Sequence, residues 1–99
     1  METNVIKDGD EITVAVSGRL DENTVPELVR VFEGILDEAQ SLILDFKELT
    51  YISASGLRLL LSVLQIMYYQ GRSLSIRNAS DSVRRIWNTV RMNEYLEIE

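Results

Sequence analysis

Ser53 and Ser55 stand where the run Leu42-Ile43-Leu44-Asp45, read as a buried strand, passes through a short loop into a long apolar helix that opens near Ala54. A hydroxyl at a helix N-terminus lies beside unpaired backbone N–H groups and the positive end of the helix dipole. An added anion is stabilised there, so a serine in that place can carry a phosphate without breaking the fold. The plain alternative is a first-turn serine that bonds backbone. A nucleophilic role is disfavoured. The position two before Ser55 is Ser53, where a nucleophile elbow has glycine, and the chain has no histidine to activate a hydroxyl. Lys7 and Lys47 are the only lysines left as bases. The pattern points to a switch and a binding surface, not to an enzyme.

Neighbouring residues extend this candidate site. Arg58, one turn after Ser55, is placed either to pair with a phosphate or to sit solvated on the helix. Gly56 costs a helix about 1 kcal/mol against alanine, so it needs a reason. That reason is close approach by a partner backbone or a tight crossing over the sheet. Asp21 is either a partner contact or a loop residue bonding its own backbone. Asp8 and Asp10 lack the further ligands of a calcium loop and read as a hairpin turn.

The sequence has no cysteine and no histidine, which removes thiolate metal sites, disulfides and the commonest metal ligand. No metal or cofactor is expected. The net charge of −6 disfavours nucleic acid and anionic membrane surfaces as partners. No apolar run approaches the roughly 20 residues of a membrane span, and the start resembles no signal peptide, so a cytoplasmic location is expected.

The elements that must position the site follow from periodicity. Val5 and Ile6 begin a strand, and Asp8-Gly9-Asp10 turns it. Ile12, Val14 and Val16 alternate with Thr13, Ala15 and Ser17, the mark of a half-buried strand. Thr24-Val25-Pro26-Glu27 reads as a capping box with proline in the first turn. Val25, Leu28, Val29, Phe32, Ile35, Leu36 and Ala39 then recur at helical spacing. Leu42-Ile43-Leu44 suggests a central strand covered on both faces.

The second helix is expected from Ala54 to Gln70, with Leu57, Leu60, Leu61, Leu64 and Met67 as its core stripe. Leu59, Val63 and Ile66 make it apolar nearly all round, which leaves self-association through it open. Leu74 and Ile76 mark a strand. Ser80 or Asn78 caps a third helix with Trp87 in its core and Arg84, Arg85 and Arg91 on a solvated face. Tyr95, Leu96 and Ile98 suggest a last strand. The expectation is one α/β domain over residues 1–99, of order β-β-α-β-α-β-α-β, with a mixed central sheet packed by helices.

Two motifs within that order resemble the STAS domain of the anti-sigma factor antagonist type. Ser17-Gly18-Arg19-Leu20-Asp21 is similar to the family's G-x-L-D loop, and Leu44-Asp45-Phe46 through Ser55-Gly56-Leu57 to its strand-to-D-S-S-G-L segment. The resemblance implies a STAS-type domain with no catalytic residues of its own. It implies phosphorylation at Ser55, directly before the glycine, by an anti-sigma factor that is itself a serine kinase, and resetting by a serine phosphatase. The unphosphorylated form would bind the anti-sigma factor and free a sigma factor, so regulating transcription. The partner surface would comprise Asp21, Tyr51, Ile52, Ser53, Gly56, Leu57 and Arg58, with Asp21 also a candidate for a nucleotide-interacting loop. The family's frequent Asp two residues before the serine is Ser53 here. The alternative within the family is a STAS scaffold without phosphoregulation, a subunit of a signalling or lipid-transport complex.

Overall fold

The computed structural model describes residues 1–99. Strand β1 (Glu2–Asp8) turns at Gly9 and Asp10 into β2 (Glu11–Leu20), and the two pair antiparallel. Helix α1 (Val25–Ile35) leads to β3 (Ser41–Asp45), β4 (Leu49–Ile52) and helix α2 (Ala54–Tyr69). Strand β5 (Ser73–Arg77), helix α3 (Asp81–Thr89) and a 3₁₀ turn (Met92–Glu94) complete the chain. The sheet runs β1-β2-β3-β5, with β3 and β5 parallel to their neighbours.

The expected α/β class with a mixed sheet is what the chain builds, and two elements differ from the expected order. Residues 49–52, read as loop, form β4, because the second half of β2 offers a free edge that a four-residue segment can fill. Such a segment is too short to show alternation. The tail from Tyr95 to Ile98 is not a strand. The Trp87 indole donates to the Leu96 carbonyl at 2.7 Å, and Arg84 donates to the carbonyls of Ile98 at 3.3 Å and Glu99 at 2.8 Å. These side chains satisfy the backbone that a sheet would have paired, so the apolar spacing of Leu96 and Ile98 reflects packing against the core. Arg84 is therefore a structural donor and not part of a solvated face, whereas Arg85 and Arg91 are exposed.

One face of the sheet carries the core. In register, Ile12 lies beside Leu42 and Val14 beside Leu44, with Leu44 next to Ile76 on the far side. These side chains join Leu28, Phe32 and Ile35 of α1, Leu60, Val63 and Met67 of α2, and Val83 and Trp87 of α3 in a single cluster. Ile43, on the opposite face of β3, is also buried but lies outside that cluster. Ser80 caps α3 by accepting the Val83 N–H at 3.3 Å. After α2, the Gly71 and Arg72 N–H groups donate to the Tyr68 and Met67 carbonyls, the bonds of a Schellman motif.

Thr24 departs from its expected role. Its hydroxyl donates to the Arg19 carbonyl at 2.8 Å and accepts the Asp21 N–H at 2.9 Å, so it closes the loop before α1 and forms no capping box.

The β2 strand changes partner halfway. Its first residues pair with β3 and its last with β4, and the register shifts between Gly18 and Arg19. Gly18 has φ +84°, a left-handed conformation that side chains disfavour, and it makes the bend possible.

Helix α2 is rotated from its expected stripe. Gly56, Leu60, Val63 and Met67 are buried, while Leu57, Leu61 and Leu64 are only half-buried. The cause is close seating at Gly56. A Cβ there would lie 2.8 Å from Leu20 Cγ and 3.0 Å from Ile52 Cγ2. Both neighbours are themselves core residues on strands, so neither can yield freely.

Gly56→Ala is therefore expected to destabilise the protein by about 1–3 kcal/mol from overpacking, despite alanine's better helix propensity. Urea unfolding measures it, and an unchanged or raised midpoint would mean that α2 does not seat on Leu20 and Ile52.

Candidate functional site: the start of helix α2

The site is assembled where β2 and β4 end side by side. Leu20 pairs with Ile52, and the Ser53 N–H donates to the Leu20 carbonyl at 2.8 Å. Ser53 leaves β4 with extended backbone, and its hydroxyl accepts the Gly56 N–H at 3.2 Å as the N-cap of α2. The Ser53 carbonyl accepts the Leu57 N–H at 2.9 Å. Ser55 thus occupies the second helical position. Its own N–H and that of Ala54 have no acceptor in the fold, as the first turn of a helix requires.

Ser55 is half-buried, and its hydroxyl oxygen accepts from Arg58 Nη2 at 3.2 Å. Arg58 is exposed and has no carboxylate within salt-bridge reach.

Asp21 follows Leu20 directly, so the Leu20–Ile52 pair brings it to the same corner as Ser53. The Asp21 carboxylate accepts the Asn23 N–H at 3.0 Å, so this residue does bond its own loop. Its other oxygen lies 3.7 Å from Arg19 Nε, and the Arg19 guanidinium sits 4.3 Å from the centre of the Tyr51 ring. Arg19 therefore ties the two strand ends together by a cation–π contact and an ion pair. Asp21 offsets the charge of Arg19, and Arg58 has no carboxylate partner.

Of the seven residues expected on the partner surface, Asp21, Tyr51, Leu57 and Arg58 keep accessible side-chain area. Ile52 and Gly56 do not. Ile52 is 2% exposed and packs inward, and Gly56 is buried over Leu20. Their role is to seat the helix, so the tight crossing is the reason for the glycine. Ser53 is 9% exposed, and its hydroxyl is engaged in capping.

The fold adds residues that the sequence did not single out. Ala54, Leu57, Arg58 and Leu61 line a shallow trough with Val90 and Met92, which follow α3. A second trough on the other flank of α2 is lined by Val29, Phe32, Leu36, Leu59 and Ile66. Arg19 lies inside the Ser17–Asp21 motif and was nameable. Val90 reads in sequence only as an apolar position of the third helix and Met92 carries no signal, because only the return of the chain after α3 brings them to α2.

Comparison with known proteins agrees with this geometry. The family model described as "Mlab, STAS domain" matches residues 3–98. The chain is 21% identical over 95 residues to the anti-sigma-B factor antagonist of Bacillus subtilis (strain 168), covering 96% of this chain and 87% of that protein. Among solved structures, the unphosphorylated anti-sigma factor antagonist SpoIIAA superposes with a TM-score of 0.81 at 16% identity, covering 99% of this chain and 88% of that one. An anti-sigma factor antagonist from Mycobacterium paratuberculosis gives a TM-score of 0.84 at 19% identity, covering 98% and 83%. With the match to the family model running almost end to end, over a sheet and helix order that those structures share, the chain belongs to the STAS domain family.

Proposed function

We propose that this chain is an anti-sigma factor antagonist, a cytoplasmic binding module whose partner surface is switched by phosphorylation of Ser55. The observation that carries the reading is the setting of the Ser55 hydroxyl. It stands at the second position of α2, at the edge of an accessible surface, beside two backbone N–H groups without acceptors. The likeness to the Bacillus subtilis antagonist supports the choice of partner.

The unmodified protein docks an anti-sigma factor on Asp21, Tyr51, Ser55, Leu57 and Arg58. The bound factor is a serine kinase. It moves the terminal phosphoryl group of a nucleoside triphosphate to Ser55 Oγ, with loss of the hydroxyl proton and release of the diphosphate. The product carries roughly −1.5 to −2 extra charge at the centre of the contact. A surface fitted to a neutral hydroxyl then rejects it, with no refolding of the domain. A serine phosphatase restores the binding form. The chain itself catalyses nothing in this cycle.

A second reading is favoured by one feature. The position that would hold an acidic residue is Ser53, and its hydroxyl is spent on the helix cap. A STAS subunit that serves as an unmodified scaffold, in a signalling or lipid-transport complex, fits that feature.

Phosphopeptide mass spectrometry on protein recovered from its own cells across growth phases separates the two. Ser55 phosphate with changing occupancy is expected, and full peptide coverage with Ser55 always unmodified would favour the scaffold. Ser55→Asp should leave the thermal midpoint unchanged or slightly raised, since an acidic side chain in the first turn of a helix contributes about 0.3–1 kcal/mol. In pull-downs from the same cells, a Ser55→Ala bait should retain the anti-sigma factor and a Ser55→Asp bait should lose it.

A further inference from the structure

Arg58 is the charge at this corner without an ion-pair partner. It has no carboxylate within 4.0 Å, although the chain carries a net charge of −6. Its Nη2 already reaches the Ser55 hydroxyl at 3.2 Å, three residues back along the same helical face. A neutral hydroxyl uses only one of the five guanidinium donors, and a phosphate matches the planar fork with two parallel bonds.

We propose that Arg58 is the on-chain counter-ion of the modified switch, gripping a phosphate on Ser55 through its guanidinium fork. The proposal rests on the reading that Ser55 is the modified residue. It adds how this chain tolerates the modification and where the new charge is held. The phosphate would sit between the free N–H groups of the first turn and the Arg58 guanidinium, which already reaches the Ser55 oxygen. The incoming charge is thus partly balanced within the domain, and the helix start keeps its conformation.

The test installs phosphoserine at position 55 during translation, so it needs no kinase. A ³¹P titration of the phosphoserine is then followed in the parent, in Arg58→Ala and in Arg58→Lys. A cation in contact favours the dianion, so the parent midpoint should lie below that of Arg58→Ala by about 0.5 pH unit or more. Arg58→Lys should fall between them, because it keeps the charge but lacks the fork. The difference should shrink in about 1 M salt, where the screening length is near 3 Å. Coincident midpoints for the parent and Arg58→Ala would overturn the proposal. Arg58 is exposed, so unphosphorylated Arg58→Ala should melt with the parent and show that the comparison is between folded proteins. If Ser55 is never modified in cells, the switch falls while this measurement still reports whether Arg58 can hold the group.

Discussion

The parallel pairing of the end of β2 with β4 is the constraint on which the site depends. It joins Leu20 to Ile52 and continues one bond further, from the Ser53 N–H to the Leu20 carbonyl. That last bond determines where α2 begins. Moving the register by one residue would turn Leu20 or Ile52 out of the core and take the helix start with it. Gly56 completes the lock, since the helix rests where a side chain would collide with both of those residues. The serine is presented by a rigid corner built from core contacts, and not by a loose loop.

Rigidity suits the switch proposed for Ser55, which would work by local charge. If the helix start were mobile, a phosphate could be absorbed by rearrangement and its effect on a partner would be diluted. Here the cap and the β2–β4 pairing hold the backbone, and the neighbouring side chains are pinned. Arg19 is held by the Tyr51 ring and the Asp21 carboxylate, and Asp21 by its own loop. Arg58 alone is left with a neutral hydroxyl as its partner. In the proposed cycle, a phosphate on Ser55 would meet a cation without a carboxylate partner and a helix start held by core contacts.

The elements most legible in the chain were those with a strong period or a strong cap. The alternation of Ile12, Val14 and Val16 matches a strand buried on one face, and α2 begins at Ala54 as its serine cap indicates. The least legible were those whose state is settled by a neighbour. The β4 strand exists because β2 outruns β3. The C-terminal tail is irregular because Trp87 and Arg84 take its carbonyls. Thr24 and Glu27 spell a capping box, yet the threonine hydroxyl is drawn to the Arg19 carbonyl, a partner supplied by the β2 exit.

For the site itself, local chemistry and tertiary packing divided the work. The sequence by itself determined that a serine would stand in the first turn of a helix, with a capping serine before it and an arginine one turn after, because capping and helical spacing act within a few residues. Only the tertiary structure decided which of these residues face outward. Ile52 and Gly56, which lie among the surface candidates in sequence, are turned inward, while Asp21, distant in sequence, reaches the same corner because it follows the Leu20–Ile52 pair. Facing depends on how α2 rolls over the sheet, and that roll is set by the space a missing side chain leaves above Leu20 and Ile52.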